Sequence, residues 1–199
     1  MELFQYLETQ SSIDLSGFIN EVHIQKGSHV YIPGQSTNFV YEIVTGAIKL
    51  GSYGSQGQEV TYDVISNPDT FGNLKYLNGQ FFEFSESLVP TKLRTYHLDF
   101  FKKIIVEDPI VSEWFNKNII RRWSKTETRL FHVRSLDKIE KVEAVFKEFD
   151  YDIFDDLGRK HNLFSLLTMQ DLGDLTGMTR QTVSQILKGT RAKKRRKVA

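Results

Sequence analysis

The stretch TMQDLGDLTGMTRQTVSQILKG, Thr168 to Gly189, constrains the chain more than any other. Two short apolar-periodic segments meet there around a glycine. With Gly177 as the ninth position of a twenty-residue helix-turn-helix, Leu172 and Gly173 fall at positions four and five, Met178 at ten, Val183 at fifteen and Ile186 at eighteen. Gly173 must be small because the second helix crosses there, and Gly177 supplies the left-handed backbone of the corner. Thr168 with Asp171 can cap the first helix and Thr179 the second.

With Val183, Ile186 and Leu187 turned inward, the second helix exposes Arg180, Gln181, Ser184, Gln185 and Lys188. Arginine can fork onto guanine N7 and O6, and glutamine can pair with adenine N6 and N7. Ser184, Lys188 and the capping Thr179 can reach a base edge or a phosphate. No acid lies on that face. The alternative is an ordinary helical hairpin with a solvated polar face.

Charge is divided in the same sense. Net charge is +1 over 199 residues, yet Gly158 to Ala199 carries ten Lys and Arg against Asp171 and Asp174, about +8, leaving about −7 for the rest. Lys193, Lys194, Arg195, Arg196 and Lys197 supply five of those cations. They are expected to add salt-dependent phosphate contacts; the bland reading is a solvated tail. KKRRK also resembles a nuclear import signal.

From Val22 to His97 the chain breaks into EVHI, HVYI, FVYEIV, AIKLGSY and EVTYDVI, separated by KGS, PGQ, TG, GSQGQ and NPDTFGN. Short β-branched runs between turn residues describe an antiparallel roll or barrel. Asp108-Pro109 marks a helix start, and Ile110 to Arg134 has no Gly or Pro. There Phe115, Ile119, Trp123, Thr126, Leu130 and Val133 form nearly a coiled-coil seam, interrupted by Arg121 and Arg122. The seam predicts dimerisation; its alternative is packing on the chain's own roll. A second helix, LDKIEKVEAVFKEF, opens the next domain near Ser135; DDLGRKHN is expected to be a loop and LFSLL a short strand.

No cysteine is present, which excludes disulfides, thiolate-held clusters and a thiol nucleophile. Neither a signal-peptide pattern nor an eighteen-residue apolar run occurs, so a soluble, cytoplasmic protein without a membrane partner is expected. His23, His29, His97, His132 and His161 show no ligand spacing, and no HxH, GxSxG, P-loop or dinucleotide fingerprint occurs. Enzyme activity is therefore not expected, and no cofactor is assigned.

On these residues the chain resembles the cyclic-AMP receptor protein/FNR superfamily of bacterial transcription regulators. KGSHVYIPGQSTNFVYEIVTGAIKL resembles the start of that family's sensing roll, with Gly27, Gly34 and Gly46 at its turn glycines. DTFGNL resembles the opening of its phosphate-binding cassette, and TRQTVSQILK its recognition helix. The resemblance implies an α+β chain: a double-stranded β-roll (a cyclic-nucleotide-binding-like jelly roll) over residues 1–108, a dimerisation helix over 109–134 and a helix-turn-helix domain over 135–199. Such a protein would act as a homodimer on a palindromic operator in double-stranded DNA, with RNA polymerase as a further expected partner. The alternative is a ligand-binding or protein-interaction module with a degenerate helix-turn-helix.

Two departures qualify this. The resemblance places the effector pocket at Phe71, Gly72, Asn73, Leu74, Phe84, Ser85 and Glu86. Asn73 stands where cyclic-nucleotide-binding members have glutamate, Phe84 where they have arginine, and Glu86 where they have alanine. A phosphate without its arginine is poorly compensated, so cyclic AMP is not expected to bind in the family's manner, and no other effector is assigned. The alternative is a pocket filled by the bulky Phe81, Phe82 and Phe84. After the recognition helix only GTRAKKRRKVA remains, so the wing of the winged helix is expected to be short or absent.

Overall fold

A computed structural model describes residues 2–10, 15–35, 38–72 and 82–198, with side chains in the last helix described as far as Gly189. A short helix, α1 (Leu3–Thr9), precedes eight strands: β1 (Ile19–Ile24), β2 (His29–Tyr31), β3 (Phe39–Thr45), β4 (Ala47–Tyr53), β5 (Glu59–Ser66), β6 (Thr70–Phe71), β7 (Phe84–Ser87) and β8 (Thr91–His97). They form two antiparallel four-stranded sheets, in the orders β1-β8-β3-β6 and β2-β7-β4-β5. Tyr31, Ile43, Ile48, Leu50, Ile65, Phe71 and Leu93 fill the space between the sheets. This is the expected roll, produced by strands that alternate a buried and an opposite face.

Each sheet also buries its outer side. Over the first lie α1, α2 (Leu98–Glu107) and the start of α3 (Pro109–Ser135), packing Leu3, Leu7, Phe101, Ile104 and Val111 on Val40 and Tyr96. Against the second lie α4 (Lys138–Phe149), α5 (Leu163–Leu166), α6 (Met169–Thr176) and α7 (Arg180–Val198). Here Ala47, Val64, Leu88 and Val89 of the roll share one apolar cluster with Val145, Phe149, Leu163, Leu172, Leu175 and Val183. Fully burying a side chain of this size contributes about 1.5–3 kcal/mol, so the shared cluster fastens the C-terminal helices to the roll.

The long helix starts as expected, with the Asp108 side chain accepting the N–H groups of Ile110 and Val111 and Pro109 in the first turn. Its seam residues divide. Phe115, at the edge of the row, meets Phe101 edge-on in the roll's outer cluster, and Val133 lies against the Gly177 corner. Ile119, Trp123 and Leu130 stay exposed, joined by Ile120 and Phe131. Arg122 and Arg129 fasten the opposite face: Arg122 donates to the Thr70 carbonyl, and Arg129 to the Tyr62 carbonyl and to Asp63.

Two local expectations are corrected. LFSLL is not a strand: the Asn162 side chain accepts the Ser165 N–H and starts the single turn of α5. DDLGRKHN is not a plain loop but most of a hairpin, β9 (Asp152–Phe154) against β10 (Lys160–Asn162). The inaccessible Asp155 carboxylate organises its turn, accepting from the backbone of Leu157 and Arg159 at 2.9 Å each, from Arg159 Nε at 2.8 Å and lying 3.0 Å from His161 Nε2.

Burial opposes ionisation of Asp155, but the bonds from His161, Arg159 and Leu157 outweigh it and hold the carboxyl well below its ordinary range. A folded-state pKa below the unfolded value, about 3.9, adds stability that is present above that pH and lost as pH falls beneath it. Asp155→Asn is therefore expected to lower the melting temperature at pH 7 and to flatten its decline below about pH 4. Parallel acid limbs for the two proteins in thermal melts would remove the carboxylate from this role.

Candidate functional site

The Thr168–Gly189 corner has the geometry its residues require. Thr168 and Asp171 form a reciprocal capping box on α6, and Gly177 ends that helix at φ +65°, in the left-handed region. A Cβ on Gly173 would stand 2.8 Å from the Met178 carbonyl oxygen, which is why the crossing position carries no side chain. Thr179 Oγ1 accepts the Thr182 N–H at the start of α7. Leu172 and Val183 are buried, with Met178 and Leu187 packed beside them.

Thr179, Arg180, Gln181, Gln185 and Lys188 are exposed along one side of the corner, and Ser184 is half-buried among them. The motif's two acids point elsewhere. Asp171 Oδ1 accepts the Thr61 hydroxyl at 2.7 Å and Asp174 Oδ2 accepts the Thr61 N–H at 2.9 Å, both on β5 of the roll. Lys49 Nζ lies 3.8 Å from Asp171. The exposed ridge is therefore cationic and amide-bearing, with its carboxylates held on the far side by Thr61 and Lys49. Neither partner is legible locally, since each lies more than a hundred residues away.

The backbone of α7 stays helical to Val198, and among the described residues no strand follows it. The side chains of Lys193, Lys194, Arg195, Arg196 and Lys197 lie outside the described residues.

Among the described residues, the candidate effector positions face different ways. Phe71 is inside the roll, stacked on Tyr41 with ring centroids 5.1 Å apart, and Gly72 follows it. Asn73, Leu74 and Phe81 lie outside the described residues, and Phe82 is exposed. Ser85 faces the interior, opposite Leu50 and Tyr31. Phe84 and Glu86 take the other side of β7, by the two-residue alternation of a strand: Phe84 packs near His29 and Tyr53, and Glu86 Oε2 lies 2.8 Å from Lys49 Nζ.

Among the described residues, Glu83 brings a buried carboxyl to the roll, accepting hydrogen bonds from the Tyr31 and Tyr62 hydroxyls. Burial pushes its carboxyl above the ordinary range, the two phenols and Arg122 only partly offsetting this. Burial raises both tyrosines as well, and the Glu83 charge adds to it. Sequence reading missed the trio because its members come from β2, β5 and the segment before β7. FFEFSES by itself does not say which alternate positions point inward.

The two-sheet roll, the long helix and the glycine-cornered pair define a β-roll joined to a helix-turn-helix. Residues 21–108 match the cyclic nucleotide-binding domain. The chain is 25% identical to the global nitrogen regulator of Synechococcus elongatus over 175 residues, 85% of this chain and 78% of that protein. It is 22% identical to the CRP-like cAMP-activated global transcriptional regulator of Mycobacterium tuberculosis over 186 residues, 93% of this chain and 83% of that one. FixK2 from Bradyrhizobium japonicum shares the fold, with a TM-score of 0.71 at 19% identity over 88% of this chain and 85% of that chain. So does the c-di-GMP responsive global regulator CLP of Xanthomonas campestris, with a TM-score of 0.69 at 12% identity over 89% and 88%. Over most of its length the chain is thus similar to transcription regulators of the Crp/Fnr type. The curated relatives are regulators rather than enzymes, and among the described residues no helix is long and apolar enough to cross a membrane.

Proposed function

We propose that the protein is a homodimeric, sequence-specific DNA-binding regulator whose roll does not take cyclic AMP. The exposed, acid-free face of α7 carries the reading. Arg180 and Gln181 sit on the first turn, where a recognition helix meets base edges, and Gln185 and Lys188 continue the same ridge. Two copies related through the exposed face of α3 would offer their ridges to successive major grooves, roughly 34–36 Å apart. The cyclic AMP part rests on the roll interior. There β7 contributes Ser85 and Ser87 and no cation, while Glu83 brings a carboxyl that disfavours a phosphate.

One experiment addresses both parts. The preferred duplex is selected from a random pool, and its affinity is measured for the natural protein and Arg180→Ala, each with and without cyclic AMP. Arg180→Ala is expected to cost about 1–3 kcal/mol on the preferred duplex and to relax the preference at one base pair, and the nucleotide to change nothing. Recovery of no preferred sequence would defeat the first part, and tighter binding with cyclic AMP the second.

A further inference from the structure

We propose that the outer face of the β2-β7-β4-β5 sheet holds a binding site for a divalent transition-metal ion, made by His29, Glu59 and Glu86, with Lys49 as the resident cation that the metal displaces. Among the sequence's five histidines His29 has no ligand spacing; the sheet supplies one. Register places His29 of β2 beside Glu86 of β7, and Glu86 beside Lys49 of β4. Glu59 of β5 reaches the same point, and the ligating atoms of His29, Glu59 and Glu86 all lie within 4.8 Å of one another.

Bonds of about 2.0–2.2 Å to a common ion bring tetrahedral neighbours to roughly 3.5 Å. His29 Nε2 and Glu59 Oε1 are already 3.9 Å apart, and both side chains are partly exposed. Closing the set requires side-chain adjustment on the order of an ångström, with the sheet unmoved.

A second observation concerns charge. Lys49, only 11% exposed, lies 2.8 Å from Glu86, 3.7 Å from Glu59 and 3.8 Å from Asp171. Three carboxylates surround one ammonium, so acids outnumber the cation, and a divalent ion on Glu59 and Glu86 would leave Lys49 beside Asp171. One imidazole with two carboxylates suits zinc, nickel, cobalt, iron(II) or manganese better than calcium or magnesium, which favour all-oxygen sets.

The test is calorimetric titration of the tag-free full chain with Zn²⁺ alone, with Co²⁺ absorption spectra reporting coordination. His29→Gln changes an accessible side chain and is expected to weaken the site by about tenfold or more. Lys49→Met is expected to tighten it by a similar factor, because the competing ammonium is gone. Thermal melts confirm that both variants fold. Natural protein that takes up no metal, His29→Gln protein that binds as before, or Lys49→Met protein that binds no more tightly would each overturn the assignment.

Discussion

In the homodimer proposed above, Trp123→Asp combined with Leu130→Asp is expected to separate the two copies and to weaken binding to the preferred duplex by about 10²–10⁴-fold. The factor follows from losing the effective concentration that one bound ridge confers on the other. Ile119, Ile120, Trp123, Leu130 and Phe131 are between 45% and 64% exposed, although α3 buries Val111 completely on its other side. Large apolar side chains so grouped mark an interaction surface. Because Trp123 and Leu130 are exposed in the single chain, carboxylates there should leave its folding intact while making a self-association face self-repelling. Analytical ultracentrifugation and duplex titration read the two effects. A double variant that sediments as the natural protein does would remove the exposed face of α3 from self-association.

The second large effect concerns Arg129. Its side chain is 11% exposed, and the guanidinium donates to the Tyr62 carbonyl at 2.6 Å, to Asp63 at 3.0 Å and to Glu148 at 2.6 Å. One side chain therefore ties α3 to β5 and to α4. Arg129→Met is expected to cost about 3–5 kcal/mol, because Glu148 loses its guanidinium partner while partly buried and Asp63 keeps Arg122 only at 3.5 Å. In a chain of this length that lowers the melting temperature on the order of 10 °C. Adding Glu148→Met should recover part of the loss by removing one stranded carboxylate. A fall of only one or two degrees for Arg129→Met would mean that water already compensates the pair.

Much of the fold was legible because its signals are local. Asp108 before Pro109, Thr168 with Asp171, and Gly177 between two apolar-periodic segments act over four or five residues of chain, and a cap or a left-handed corner depends on little else. Strand runs separated by turn residues gave the roll for the same reason. The errors were local as well: LFSLL has strand composition, but Asn162 caps it into a turn of helix, and Asp155 organises as a hairpin what composition describes as loop.

The candidate site divides the same way. The acid-free ridge of α7 follows from helical periodicity, which sends Val183 inward and Arg180, Gln181 and Gln185 outward. Which acid enters the roll does not follow from any period, and Glu83, rather than Glu86, meets Tyr31 and Tyr62 because of where β2 and β5 come to lie.

By itself the sequence determined the helix starts, the glycine corner, the strand-rich roll and the polar ridge, since each is set by torsions and hydrogen bonds among near neighbours. Only the tertiary structure decided that Lys49 and Thr61 hold the carboxylates of α6, that Arg129 clamps three elements, and that His29, Glu59 and Glu86 converge. Those pairings join residues from about twenty to more than a hundred positions apart, and strand order and sheet register, which no short window of sequence encodes, set their distances.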